Sequence, residues 1–233
     1  MHPVRGKVLR TITLASASIM VFAGLSHAAT FNLRADGGTL VMPDGRSVPV
    51  WGFGDGAAAC GTADVTVPGP TLELPPGDTT LTINLKNCLT SPVSLTVPGL
   101  PIAPTPVFDA STPPRVISFT VETPARVGAA PPATGSYIFP NVRPGTFLYE
   151  SGTDPSLQIQ MGLYGPIVVR PAAAGQAHDD PASFFENEIV MVLSELDANF
   201  HDIVAAGCYV PQGPPPAPCG ANYATSTTFH RPS

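Results

Sequence analysis

The chain has 233 residues, enough for one large or two small domains, and a formal net charge of −6. It contains 29 prolines and 22 glycines but only 12% charged residues, a composition that favours a turn-rich all-β protein. No stretch is rich in lysine and arginine, which argues against nucleic acid and anionic membranes as partners.

Residues 1–28 are predicted to be a secretory signal peptide. Three basic residues (Arg5, Lys7 and Arg10) precede an apolar, small-residue run over 11–24, and Ser26-His27-Ala28 offers a small-x-small cleavage site. The run is too short for a membrane span, and a buried N-terminal helix is the alternative interpretation. We therefore expect an exported protein, periplasmic or extracellular, with no membrane span.

Four cysteines are present, and an even number in an exported chain favours disulfides. Three pairings are possible. The favoured one joins Cys60 to Cys88 within the first domain and Cys208 to Cys219 across a proline-rich loop. Thiolate metal ligands are the alternative, but the spacings do not match zinc motifs.

Short strands separated by glycine and proline turns follow one another along the chain. Leu81, Ile83 and Leu85 alternate with polar residues, which predicts a strand with one buried face. In the stretch 145–150, Phe147 and Tyr149 share one face, and a polar loop over 151–155 leads to an apolar strand at 163–169. Further strands are predicted at 31–35, 50–53, 71–74 and 115–122. A Pro43-Asp44-Gly45 turn precedes the strand at 50–53.

Two of these stretches resemble a known family. Gly145-Thr-Phe-Leu-Tyr149, followed after a gap by Gln160-Met-Gly-Leu-Tyr-Gly165, resembles the end of the first cupredoxin domain of multicopper oxidases. Pro68-Gly-Pro-Thr71, with the alternating strand that ends at Asn87, resembles its beginning. The resemblance implies an all-β, cupredoxin-like Greek-key β-sandwich over 30–171 and a linker over 172–187. It also implies that 188–233 is the incomplete start of a second cupredoxin-like domain, opened by a buried strand at 188–195.

The same resemblance implies a copper-dependent oxidoreductase family, but the copper ligands are missing from the matching positions. Relatives hold copper with His-x-His pairs, whose two imidazoles lie on one face of a strand. The aligned positions here are Thr96, Pro98, Glu150 and Gly152, and no cysteine has a histidine neighbour. Ser151 lacks both a Gly-x-Ser-x-Gly turn and a histidine partner. No catalytic, cofactor-binding or metal-binding residue is therefore assigned; copper is expected in full-length relatives and not in this chain.

Two further groups of ionisable residues are more simply explained as hydrated, solvent-exposed side chains. Glu150 with Asp154 could bind a hard cation, but loop carboxylates are more often simply hydrated. His201 lies near Asp197 and Asp202, and a chance solvent-exposed grouping is preferred to a catalytic dyad.

Two functions follow. The first is an exported multicopper-oxidase-like protein whose degenerate first domain is structural and inactive alone, its partners being the remaining cupredoxin domains of any longer product. The second is a metal-free β-sandwich that binds or adheres at the cell envelope through the proline-rich loops 98–114 and 123–134.

Overall fold

The computed structural model describes residues 27–101, 105–209 and 219. Residues 1–26 of the predicted signal peptide and the proline-rich stretch 210–218 lie outside the described residues. Within them the strands are β1 His27–Val41, β2 Ser47–Asp55, β3 Leu72–Leu74, β4 Asp78–Asn87, β5 Leu95–Thr96, β6 Val107–Phe108, β7 Val116–Ser118, β8 Ala133–Pro140, β9 Gly145–Ser151 and β10 Tyr164–Val169. The helices are α1 Pro155–Met161, α2 Ala198–Ala205 and a 3₁₀ helix at Pro181–Ser183.

Eight of the strands form two four-stranded sheets. The order in sheet A is β2-β1-β4-β8, with β1 and β4 parallel and the other neighbours antiparallel. The order in sheet B is β3-β10-β9-β5, with β3 and β10 parallel and the other neighbours antiparallel. Strands β6 and β7 pair with each other in a separate two-stranded sheet.

One hydrophobic core lies between the two sheets. Leu81, Ile83 and Leu85 of β4 are fully buried, which confirms the predicted alternation. They belong to the same cluster as Tyr149 of β9, and the rings of Phe53 and Tyr149 meet across the sandwich with centroids 5.3 Å apart. Burial of this apolar surface is the main favourable contribution to folding. The predicted β-sandwich is confirmed.

The first hairpin is longer than the sequence predicts. Strand β1 begins at His27 and not at residue 31, because residues 27–35 pair with β4, whereas residues 33–41 pair with β2. The Pro43-Asp44-Gly45 turn is confirmed: the Gly45 amide donates to the Met42 carbonyl at 2.8 Å. Gly45 has φ +86°, a left-handed conformation that favours glycine.

Strand β7 is shorter than the predicted strand at 115–122, and the buried side chains of this stretch are polar. Ser118 and Thr120 are buried, at 1% and 3% exposure, whereas Phe119 and Val121 are both 56% exposed. The polar face is buried because its hydroxyl groups find partners inside, as described below.

Neither α-helix was predicted, although both have ordinary end signals. Helix α1 begins after Asp154 with a proline at its first position and ends at Gly162, whose φ is +118°. Helix α2 is capped by the Asp197 carboxylate, which accepts from the amides of Asn199 and Phe200. No helix among the described residues has the length and apolar character that crossing a bilayer requires.

The prediction of a buried strand at 188–195 is wrong. These residues form no strand, and Ile189, Met191 and Leu193 are 79%, 67% and 85% exposed. The segment is tethered at its ends: Arg170 contacts the Glu188 carboxylate at 2.6 Å, and the hydroxyls of Tyr164 and Ser194 are also 2.6 Å apart. The apolar run alone suited a strand, but no described strand pairs with it.

Both predicted disulfides are confirmed, with Cys60 joined to Cys88 and Cys208 joined to Cys219. The Cys60 loop is also held by Arg34, whose side chain is fully buried. Arg34 pairs with the carboxylates of Asp36 and Asp64, and the carbonyls of Asp55 and Thr62 each accept from its guanidinium at 2.9 Å. This network fixes the loop against β1.

Candidate functional site

The positions aligned with the family's copper ligands come together where β5 meets β9. Thr96 pairs directly with Glu150, and a Cβ placed on Gly152 would lie 2.8 Å from the Thr96 side chain. Leu95 and Tyr149 point into the core, so the neighbouring Thr96 and Glu150 lie on the opposite face of sheet B. Pro98, two residues beyond Thr96, is exposed. Three of the four positions are therefore close neighbours.

A cluster of buried hydroxyl groups lies immediately beside these positions. The side-chain oxygens of Ser94, Ser118 and Thr153 are 3.0–3.1 Å from one another, and all three residues are at most 5% exposed. Ser118 also donates to the Thr120 carbonyl at 2.8 Å. The cluster ties β5 to the segment around β7 and to the loop before α1. Sequence reasoning missed it because its members come from three separate segments with no shared motif.

Ser151 belongs to a second buried polar group. Its hydroxyl contacts the side-chain oxygen of Gln158 at 2.6 Å, and the Gln158 amide nitrogen donates to the Pro92 carbonyl at 2.8 Å. Gln158 and Ser151 are each 1% exposed. Because the Ser151 hydroxyl is engaged by a neutral amide, nothing here would activate it as a nucleophile.

The side chains at these positions do not fit a copper centre. Gly152 and Pro98 carry no donor atom, and Thr96 offers only a neutral hydroxyl. Copper in proteins favours imidazole and thiolate ligands. Glu150 is the one ionisable group, and partial burial raises the pKa of its carboxyl above the ordinary value.

Space is lacking as well as donors. A Cβ at position 152 would lie 2.8 Å from Cγ2 of Thr96 and 2.9 Å from Oγ of Ser94, closer than side-chain atoms normally approach. Any side chain at this position would displace the hydroxyl cluster or Thr96.

The other group of potential metal ligands in the described part of the chain contains Asp36, Cys60 and Cys88, whose ligand atoms lie within 4.8 Å of one another. Both sulfurs are joined in the disulfide and are not thiolates. The Asp36 carboxylate accepts from the Gly61 amide at 2.6 Å and pairs with Arg34. This group is structural.

The histidines do not converge. His178 is exposed, with Nδ1 3.3 Å from the Pro144 carbonyl, and His230 lies outside the described residues. The expectation that His201 is solvent-exposed is wrong: it is 1% exposed, because α2 packs against β2. Its Nδ1 lies 2.7 Å from the Pro49 carbonyl, and no residue that the structure describes offers its buried Nε2 a hydrogen-bond partner.

The carboxylates that lie near His201 or Glu150 in the sequence make other contacts. Asp197 caps α2, and Asp202 pairs with Arg46 at 2.6 Å. Glu150 and Asp154 do not form a common cation site within the described ranges: Glu150 faces Thr96, whereas the Asp154 amide donates to the Ile117 carbonyl at 2.8 Å.

Comparison with solved structures found a multicopper oxidase, a copper nitrite reductase and a laccase. A multicopper oxidase from Pseudomonas thermotolerans is 20% identical, with a TM-score of 0.48 over 64% of this chain and 31% of that one. The copper nitrite reductase of Nitrosomonas europaea is 24% identical, with a TM-score of 0.45 over 64% of this chain and 43% of that one. A laccase from B. aclada is 24% identical, with a TM-score of 0.42 over 61% of this chain and 22% of that one. This chain thus spans less than half the length of each.

A search of curated proteins found no match. The sequence profile described as multicopper oxidase matches residues 51–174, which is more than half of the chain and includes β5, β9 and the four ligand-aligned positions. The chain belongs to the multicopper oxidase family.

Proposed function

We propose that this chain is an exported multicopper-oxidase-like protein whose cupredoxin domain, residues 30–171, serves structurally and does not hold copper. On this proposal residues 1–28 are removed on export, and the domain does not reduce oxygen by itself. Its partners would be further cupredoxin domains in any longer product, with residues 188–233 as the start of the second.

The observation that carries the proposal is the filling of the ligand-aligned positions. Gly152 and Pro98 supply no donor, and the space beside Gly152 is taken by Thr96 and Ser94. The three hydroxyls of the cluster hydrogen-bond to one another, so the buried polar groups in this part of the domain already have partners. Both disulfides suit an oxidising compartment, which supports export.

Oxygen uptake tests the catalytic part. The secreted chain, incubated with copper and a phenolic reductant, is expected to consume oxygen no faster than copper and reductant alone. Uptake that co-purifies with the chain and is lost on replacing Glu150 by glutamine would overturn the proposal. The intact mass of the secreted chain tests export: we expect a product that begins at Ala29, and a retained Met1 would contradict cleavage.

A second candidate function, binding or adhesion at the cell envelope, has a specific observation in its favour. The proline-rich loops expose large apolar side chains, with Phe108 53% and Val127 77% exposed. The coding sequence after Ser233 separates the two candidates. Further strand patterns with a His-Cys-His motif support the oxidase-like protein, and a continuation without cupredoxin features supports the binding module.

A further inference from the structure

A cavity of about 660 Å³ lies beside α1, and none of the four ligand-aligned positions lines it. Its walls come from the loop before β5, the β6–β7 region, the start of α1 and Tyr209. This volume is in the range of small-molecule sites. The apolar part of the wall includes Pro92, Ile117, Pro155 and Leu157.

Three carboxylates line the cavity, and only one has a cationic partner among the described residues. Asp109 pairs with Arg115 at 2.7 Å, which also lines the cavity. Glu122 and Asp154 are half-buried and pair with no described lysine or arginine. Among the described residues, the only hydrogen bond to the Asp154 carboxylate comes from the Ser156 hydroxyl, at 3.0 Å. The cavity therefore carries two negative charges that no described protein cation neutralises.

A buried amide at the same cavity has a donor to spare. Gln158 lines the cavity, is 1% exposed and donates one amide hydrogen to Pro92. A primary amide has two such hydrogens, and the described residues provide no acceptor for the second. This unused donor is independent of the carboxylates and suits a carbonyl oxygen of a ligand.

Tyr209 supplies an aromatic ring. It is half-buried and packs edge-on against Phe200 with ring centroids 5.4 Å apart, which holds the ring in place. Burial and the nearby Asp154 carboxylate raise the pKa of its hydroxyl, so the ring stays neutral at ordinary pH. Neutral tyrosine rings attract cations through their faces.

We propose that this cavity binds a small organic cation: an ammonium group on an apolar body that also carries a carbonyl oxygen. The ammonium group would be held by Glu122 and Asp154, the apolar body would pack against Ile117, Leu157 and Tyr209, and the carbonyl would accept from Gln158. This site is distinct from the ligand-aligned positions and does not depend on whether the chain has any oxidase activity.

Calorimetric titration of the secreted chain with para-(aminomethyl)benzamide tests the proposal, with para-(hydroxymethyl)benzamide as the uncharged compound of the same shape. We expect the amine to bind and the alcohol to bind at least about tenfold more weakly. Neutralising either carboxylate should weaken binding of the amine by roughly three- to tenfold, because each is a half-exposed ion pair. Equal binding of the two compounds, or none of the amine at millimolar concentration, would overturn the proposal.

The variants are Asp154→Asn and Glu122→Gln, with Glu186→Gln as the control at an exposed carboxylate outside the cavity. Asparagine tolerates the left-handed backbone of Asp154, φ +36°, so the α1 start should be preserved. Unchanged affinity in both cavity variants, with the control also unchanged, would contradict the proposal. Should a variant fail to fold, the salt dependence of amine binding to the wild-type chain tests the ion pairs instead. Binding through ion pairs must weaken at high sodium chloride, and affinity that does not change with salt would contradict the proposal.

Discussion

Replacing Gly152 by alanine should destabilise the sandwich even though the backbone there suits any residue. The φ angle of Gly152 is outside the left-handed region, so the cost comes from space alone. The new Cβ would lie 2.8 Å from Cγ2 of Thr96 and 2.9 Å from Oγ of Ser94. Overpacking of this kind costs about 1–3 kcal/mol. For a protein of this size, that corresponds to a fall in the unfolding midpoint of roughly 2–12 °C.

Thermal and urea unfolding of the secreted protein measure the effect. Gly37→Ala is the matched control, because Gly37 also has an ordinary φ but has nothing within 4 Å of its Cβ position. It should unfold close to wild type. Adding Thr96→Ser to Gly152→Ala removes the nearest methyl group and should recover part of the loss. If Gly152→Ala is as stable as wild type, the space beside position 152 is not filled by Thr96 and Ser94.

Three further changes test other parts of the account. Arg34→Met leaves two carboxylates without their buried partner and should cost about 3–5 kcal/mol in urea unfolding; a loss below about 1 kcal/mol would show that the network is dispensable. Cys60→Ser with Cys88→Ser should cost about 2–4 kcal/mol, since the bond closes a long loop; unchanged stability would contradict this. The pKa of Glu150 is raised in the folded state, so its favourable contribution is complete below about pH 4 and is lost as pH rises through the folded value. Glu150→Gln should therefore be more stable than wild type at neutral pH, with the gain disappearing in acid, and a gain that persists in acid would refute burial of the charge as the cause.

Local patterns predicted much of the sandwich. The alternation of Leu81, Ile83 and Leu85 identifies the buried face of β4, and the placement of Phe147 and Tyr149 identifies that of β9. The Pro43-Asp44-Gly45 turn is local as well. The disulfide pairing was one of the three that four cysteines allow.

The incorrect predictions involve partners that are distant in the sequence. The apolar run at 188–195 reads as a strand, but a strand needs a neighbour, and no described strand pairs with it. His201 reads as exposed because carboxylates flank it, yet α2 turns it against the Pro49 carbonyl. Ser118, within the predicted strand at 115–122, is buried with two other hydroxyls from separate segments, which a local pattern does not show.

Only part of the candidate site could be predicted from the sequence. Alignment with the family identified Thr96 and Glu150 from short motifs, and the sheet register brings them together. The filling of the space beside Gly152 could not be predicted, because it depends on Ser94 and on how the β7 region packs over β5. The cavity beside α1 likewise requires four separate segments to be placed.

The copper content of the purified, secreted chain shows whether its cupredoxin domain holds the metal. After incubation with copper and removal of the unbound metal, elemental mass spectrometry is expected to find far less than one copper per chain, and the visible spectrum should lack the intense blue absorption of a copper thiolate. One or more tightly held copper ions per chain, lost on changing Thr96 or Glu150, would contradict the account.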